Sequence, residues 1–146
     1  MKQIWDYIHV AGAAVGGFFG WYLGELDGLI YVLITFVVVD YITGVLRAVV
    51  EKKLSSRIGA RGIVKKVAIF LVVGIGHLID FYLLESSGTP LRTAVIFFYV
   101  ANEGISLLEN AAFIGLPVPE KLKDTLAQLH NKNTKIKNES EDDSDG

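Results

Sequence analysis

Ionisable side chains interrupt several long apolar stretches of this sequence, and they are the first candidates for chemistry. A charge in the hydrocarbon of a bilayer costs several kcal/mol or more unless it is paired or hydrated, so a charge found there is a functional candidate. Asp40 and Glu103 lie about 16 and 18 Å from the outer ends of their predicted helices, which places them at a similar depth. Arg47 and Glu109 are each about 27 Å along their helices, which predicts an ion pair between them.

Other polar residues share helix faces with these charges. His77 and Asp80, at i and i+3, lie on one face of the third predicted helix, nearer the outer surface. A polar stripe on the fourth predicted helix comprises Asn102, Ser106, Glu109 and Asn110, with Glu103 adjoining. The full set of membrane-buried candidates for a lumen or a subunit interface is Asp40, Thr43, Arg47, His77, Asp80, Asn102, Glu103, Ser106, Glu109 and Asn110.

Two interpretations of the polar stripe remain open. Either it faces a neighbouring subunit or a water-filled opening, or it packs inside the monomer, satisfied by Arg47, Thr43 or backbone groups. We favour the first, because so many polar groups exceed what one small monomer easily satisfies. For Asp40 with Thr43, Gly44 and Arg47, a functional role and a structural lock within and between helices are equally supported.

Glycine recurs every fourth residue in the first apolar stretch, at Gly12, Gly16, Gly20 and Gly24. Overlapping GxxxG units of this kind let another helix backbone approach closely, so the pattern predicts helix association. The partner helix belongs either to another subunit or to the same chain, and the sequence does not distinguish the two.

The sequence lacks the residues that several classes of chemistry require. There is no cysteine, which excludes disulfides and thiolate sites. The three histidines do not converge at metal-ligand spacing, and phosphate loops and nucleophile elbows are absent. We therefore predict no enzyme activity, no metal site and no cofactor.

Four apolar runs, at 7–24, 29–50, 63–84 and 91–115, set the architecture. The last three have the length of about 20 residues that a bilayer span requires, whereas the first is shorter and rich in glycine. The sequence predicts an all-α membrane domain over residues 1–116, a bundle of three to four transmembrane helices. Leu122, Leu126 and Leu129 predict an amphipathic helix at 117–130, lying on the membrane surface or on a partner helix. The polar tail at 131–146 is predicted to be disordered.

The distribution of Lys and Arg predicts the orientation. Cations cluster between the second and third runs and in the tail, whereas Arg92 is alone on the opposite side, so both termini are expected in the cytoplasm. If the first run does not cross, the N-terminus moves outside. We expect the basic loop to anchor on anionic lipid headgroups rather than to bind nucleic acid. Its cations are Lys52, Lys53, Arg57, Arg61, Lys65 and Lys66.

Two motifs in the expected order resemble the phage holin and toxin-secretion holin family over roughly residues 29–129. The first runs from Asp40-Tyr-Ile-Thr-Gly44 through Ala48, Lys53-Leu-Ser-Ser56, Gly59, Gly62-Ile, Lys65-Lys66 to Asp80. The second is Ala101-Asn-Glu-Gly-Ile-Ser-Leu-Leu-Glu-Asn-Ala111, followed by Gly115-Leu-Pro-Val-Pro-Glu-Lys-Leu122.

The resemblance implies a small protein of the bacterial cytoplasmic membrane that accumulates, then oligomerises suddenly and opens lesions. An endolysin, or in some bacteria a large toxin, leaves through them without binding the lesion directly. The implied partners are copies of the same chain, the lipid bilayer and an antiholin. Two alternatives stand beside it: an oligomeric structural or regulatory membrane protein without pore activity, and a small-solute transporter, for which no inverted repeat is seen.

Overall fold

The computed structural model describes residues 1–85 and 87–142, and their side chains as far as Lys132. Over these residues it contains helices and no strand, which confirms the all-α prediction. The helices are α1 (Lys2–Leu23), α2 (Gly28–Val50), α3 (Ser56–Tyr82), α4 (Pro90–Ile114) and α5 (Glu120–Asp142).

Local sequence signals explain most helix ends. The Asp27 carboxylate accepts a hydrogen bond from the Ile30 backbone at 3.1 Å, which caps the N-terminus of α2. Ser55 caps α3 through the Ile58 backbone at 3.3 Å. Gly115 ends α4 in the left-handed conformation, with φ of 89°.

The Ser55 cap places the start of α3 earlier in the sequence than expected. The helix begins seven residues before the predicted span, so the basic segment is largely helical and only Lys52 and Lys53 lie in the connection after α2. Arg57, Arg61, Lys65 and Lys66 belong to α3 instead of a loop. Apolar content locates a span well, but the capping side chain decides where its helix begins.

In the described part of the chain three helices, α2, α3 and α4, are long and apolar enough to cross a bilayer. α1 is not among these candidate spans, because its glycines, Asp6 and His9 dilute its apolar residues. Between 22% and 28% of the apolar window of each span is buried inside the molecule, so most of its surface needs lipid or another protein chain.

α4 lies at the centre of the packing. It contacts α2, α3 and α5, and its contact with α2 is the most extensive. The apolar core comprises Leu23, Ile30, Leu33, Val37, Ile69, Val73, Ile96 and Val100.

α1 joins the bundle only near its C-terminal end. Residues 1–19 are exposed, whereas the Tyr22 hydroxyl donates to the Leu71 carbonyl at 2.8 Å and its ring occupies the space that a side chain at Gly74 would need. Among the described residues nothing lies within 4 Å of a Cβ built on Gly12, Gly16 or Gly20. Packing of these three glycines against another helix of the same chain is therefore not observed.

The structural role of Gly24 differs from that of the three glycines before it. Its φ is +80°, and a Cβ there would lie 2.8 Å from Nδ1 of His77 and 3.2 Å from Nε of Arg92. Glycine is needed at this turn for its conformation and for close approach, and not for a GxxxG face.

α5 is longer than predicted. Its Leu126 is buried against Gly104 and Phe36, whereas Leu122 is 42% exposed, so the predicted apolar stripe contacts the bundle mainly through Leu126. The backbone stays helical over 131–142, where the sequence predicted disorder, because extending a helix already nucleated by packing costs little per residue. The last four residues of the predicted tail, 143–146, lie outside the described part of the chain.

Candidate functional site

The candidate site is an ion cluster between the three spans. The Lys66 ammonium on α3 donates to the Asp40 carboxylate on α2 and to the Glu103 carboxylate on α4. The three side chains are at most 17% exposed. Asp40 and Glu103, which the sequence placed at a similar depth, thus share one partner.

The helical rise places this cluster in the middle of the bundle. Lys66 is about 15 Å from the start of α3, and Asp40 is about 15 Å from the end of α2. Glu103 is about 16 Å from the end of α4. Each ion therefore lies well inside its span, where solvation by bulk water is weakest.

Amide and hydroxyl groups complete the surroundings of Asp40. Nδ2 of Asn110 donates to Oδ1 of Asp40 at 3.3 Å and lies 3.4 Å from Oγ1 of Thr43. The Thr43 hydroxyl in turn donates to a backbone carbonyl one helical turn back, either Val39 or Asp40, each at 3.0 Å. Both oxygens of the Asp40 carboxylate are thereby occupied, one by an ion and one by an amide.

A cavity of about 350 Å³ lies beside the cluster. It is bounded by polar groups of all three spans and by Tyr41, which lies close against Gly62. Its size and polar lining suit several water molecules, which would hydrate the charges of the cluster. The lining includes Asp40, Gly59, Lys65, Lys66, Glu103, Ser106 and Asn110.

A second polar cluster ties together the other end of the bundle. Arg92 is 1% exposed, and its guanidinium donates to the carbonyls of Leu23 and Glu25, both at 2.7 Å, and to the Asp27 carboxylate at 2.9 Å. This bond is the main reason why the pKa of Asp27 is lowered. Arg92 thus fixes the turn between α1 and α2 onto α4.

Asp80 joins α3 to the same end of α4. Its carboxylate accepts from the backbone of Leu91 at 3.1 Å and of Arg92 at 2.8 Å, so it satisfies N–H groups at the start of α4. His77, one turn earlier, lies against Gly24 and Phe81, and its Nδ1 is buried without a hydrogen-bond partner among the described residues. His77 and Asp80 share a face, as predicted, but among the described residues Asp80 alone is seen to make hydrogen bonds there.

Two of the predicted charges do not meet. Nε of Arg47 bonds Oε1 of Glu51, one turn along the same helix, at 3.4 Å, and the guanidinium lies 4.4 Å from the ring centre of Phe113. Glu109 is exposed. A similar predicted depth along two helices does not suffice for an ion pair, because both side chains must also point towards each other.

The polar stripe of α4 divides among several environments. Glu103 and Asn110 bond groups of α2 and α3, whereas Oδ1 of Asn102 lies 3.1 Å from Nδ1 of His130 on α5. Ser106 lines the cavity, and Glu109 faces outwards. In this structure most of the stripe is satisfied within the monomer, although by other partners than Arg47.

Sequence reasoning missed Lys66 and Arg92 as members of these clusters. Lys66 was assigned to lipid headgroups with its basic neighbours, and Arg92 was counted only as an outer cation. Two signals could have found them. Lys66 is three turns inside a capped helix, and Arg92 is in the first turn of α4, at the end of the bundle that also holds Asp80.

Residues 17–131, which include the whole ion cluster, match the bacteriophage holin family. The chain belongs to this family. Members are generally non-enzymatic membrane proteins. The resemblance inferred from the two sequence motifs is thereby confirmed.

Relatives of this holin family member come from phages and bacteria. It is 38% identical over 109 residues to a probable holin of Bacillus phage phi105, which covers 75% of this chain and 78% of the phage protein. It is 42% identical over 132 residues to an uncharacterized 14.9 kDa protein of Clostridium perfringens, covering 90% of this chain and 99% of that protein. An uncharacterized protein of Listeria monocytogenes is 48% identical over 111 residues, 76% of this chain and 78% of that protein. No solved structure matches the chain.

Proposed function

We propose that this protein is a holin that assembles in the cytoplasmic membrane of a bacterium and opens lesions, through which an endolysin or a toxin leaves the cell. The observation that carries the proposal is the ion cluster of Lys66, Asp40 and Glu103, buried midway along three candidate spans of a holin family member. A charge at this depth is stable only while it is paired or hydrated. The bundle can therefore adopt two states, which differ in the partners that stabilise these charges.

In the first state the charges are paired within one monomer, as in the structure. In the second, neighbouring copies and water replace the intramolecular partners, and the bundle opens towards an aqueous passage. The cavity beside the cluster supports this step, because it gives water a place next to the ions before any helix moves.

The membrane potential supplies the energy that keeps the first state populated. Moving one charge across the whole field is worth about 2.3 kcal/mol per 100 mV. Lys66 and Glu103 lie near the middle of the field, so a shift of either along the membrane normal couples opening to the potential. A modest coupling per subunit becomes a sharp switch when many copies assemble.

The exposed glycine face of α1 provides the contact between copies. Gly12, Gly16 and Gly20 have no partner among the described residues, and a second helix approaches such a face closely. The basic segment that begins at Lys52 is placed in the cytoplasm by the positive-inside rule, and the Arg92 end of the bundle outside. The C-terminal end of α4 is then cytoplasmic, and so is the N-terminus if α1 also crosses.

The test is controlled expression in a bacterium together with a cytoplasmic endolysin, with the time of lysis as the readout. Glu103→Gln removes a charge of the ion cluster, whereas Glu109→Gln removes an exposed charge from the same helix and is the matched control. We expect abrupt lysis from the unaltered protein, a changed lysis time with Glu103→Gln and little change with Glu109→Gln.

Two results count against the proposal. If abundant expression leaves the permeability barrier intact, the protein is instead an oligomeric membrane protein without pore activity. If lysis occurs but Glu103→Gln and Glu109→Gln behave alike, the ion cluster has no part in triggering.

A further inference from the structure

α5 runs back along α4 to the depth of the ion cluster. Leu126 packs on Gly104, which follows Glu103 directly, and His130 bonds Asn102. Gly104 is about 15 Å and Asn102 about 18 Å from the end of α4. Since α5 starts beyond that end, the two helices are antiparallel.

The face of α5 that points away from α4 is polar. Asp124 and Gln128 are each two residues from Leu126, which puts them on the opposite side of the helix, and both are exposed. Lys121 and Lys123 are exposed as well. The side of α5 opposite Leu126 therefore carries a carboxylate and an amide.

The exposed flank of α2 at the same depth is apolar. Asp40 and Glu103 share Lys66, so Val38 and Ile42 of α2 lie level with Gly104. Val38 is 49% and Ile42 51% exposed. Lipid suits this flank, whereas the cost of placing Lys or Asp against hydrocarbon excludes lipid from the α5 flank. At the same level, one exposed face of the bundle is thus apolar and another is polar.

We propose that α5 lines the aqueous passage, with Asp124 and Gln128 facing the water and the α2 flank facing lipid. The passage is closed by copies of the same chain, each turning its α5 inwards. This inference rests on the proposed holin function and adds which surface of the subunit forms the wall. It explains why a helix as polar as α5 packs beside the candidate span α4.

The natural chain contains no cysteine, so single cysteines report their own surroundings. We would introduce Asp124→Cys, Gln128→Cys and the depth-matched controls Val38→Cys and Ile42→Cys. Each variant is reconstituted in lipid vesicles loaded with dye and treated with a charged methanethiosulfonate reagent. A thiol in water ionises and reacts, whereas a thiol in hydrocarbon does not, so we expect the α5 positions to react at least about tenfold faster.

A second measurement tests whether α5 is docked while it is accessible. In the double variant Asn102→Cys, His130→Cys, oxidation should join α4 to α5 in the vesicles, and dye release should persist. The variant Asn102→Cys, Lys121→Cys pairs the same α4 position with a residue on the far face of α5, and it should not cross-link.

The outcomes separate the inference from the proposed function. If the unaltered protein releases no dye, the holin function fails. If it releases dye but the α5 cysteines react as slowly as Val38→Cys, or if they react rapidly while the Asn102 and His130 positions do not cross-link, the function stands and the inference is overturned. Release with rapid reaction and cross-linking supports both.

Discussion

At the scale of single residues, Lys66 determines the stability of the ion cluster. It is the partner shared by Asp40 and Glu103, so its removal leaves two carboxylates facing each other in the middle of the spans. Removal of the Glu103 charge is a milder change, because Lys66 and Asp40 still form an ion pair with no net charge. The two substitutions therefore differ in consequence although they affect one contact.

We expect Lys66→Met to lower the free energy of unfolding by about 3 kcal/mol, the order found when one partner of a buried ion pair is removed. Glu103→Gln should cost less than about 1 kcal/mol, because the amide still accepts a hydrogen bond. Thermal or denaturant unfolding in detergent micelles measures the difference. Equal losses for the two variants would show that Lys66 is hydrated rather than dependent on the carboxylates.

The contact between Asp27 and Arg92, at the other end of the bundle, predicts that the stability of the protein depends on pH. The Arg92 guanidinium holds the pKa of Asp27 below the ordinary value of 3.8, with the Ile30 backbone acting in the same direction. A lowered folded pKa means that the contribution of Asp27 to stability is present above about pH 3.8 and is lost as the pH falls through the folded value.

Asp27→Asn should accordingly lower the melting temperature near neutral pH, and its difference from the unaltered protein should shrink in acid. Glu25→Gln is the control, because Arg92 contacts the backbone carbonyl of Glu25 and not its exposed carboxylate. A deficit for Asp27→Asn that is constant down to pH 3 would contradict the role assigned to the charge.

At the scale of helices, the packing of α5 depends on the absence of a side chain at Gly104. A Cβ there would lie 2.8 Å from Cδ2 of Leu126 and 2.9 Å from Cε1 of Phe36. Both neighbours would have to move, and overpacking of this kind typically costs about 1–3 kcal/mol. The strain falls on the contact between α4 and α5, whose main apolar anchor is Leu126.

Gly104→Val should therefore release α5 from α4 without unfolding the spans. Trypsin cleavage after Lys121 or Lys123 reports this, and we expect cleavage at least about tenfold faster than in the unaltered protein, because proteolysis follows local opening. Gly17→Val is the control, since nothing lies within 4 Å of its Cβ position. Unchanged cleavage in Gly104→Val would mean that α5 is not held by this contact.

The helices show what sequence alone can predict. Span positions and depths follow from local apolar content and a fixed rise, so α2, α3 and α4 and the common level of Asp40 and Glu103 were predictable. The rotation of each helix about its axis depends on packing with its neighbours, which is why Arg47 was assigned to Glu109. Lys66 was missed for a related reason, because a rule for loop cations was applied to a residue inside a helix.

At the scale of the whole molecule, the bundle is incomplete as a monomer. Most of the span surface is exposed, and residues 1–19 of α1 contact no other described helix closely enough to be buried. A helix with an unobstructed glycine face is suited to pairing with another copy, since close backbone approach adds van der Waals contact. Assembly is thus expected to begin at a surface distinct from the ion cluster, before neighbouring copies reach the charges.

We expect the double substitution Gly12→Leu, Gly16→Leu to weaken self-association and to leave the fold of the monomer unchanged. A Cβ at either position has no atom of another described helix within 4 Å, but leucine side chains there would separate two α1 helices from different copies. Chemical cross-linking in membranes at increasing expression should show at least about tenfold less dimer, and lysis should be delayed. Gly17→Leu adds the same bulk next to that face and serves as the control. If Gly17→Leu alone reduces the dimer as strongly, the glycine spacing is not what recognises the second copy. If neither variant changes it, α1 is not the subunit contact, and copies must meet through the exposed apolar faces of α2 and α3.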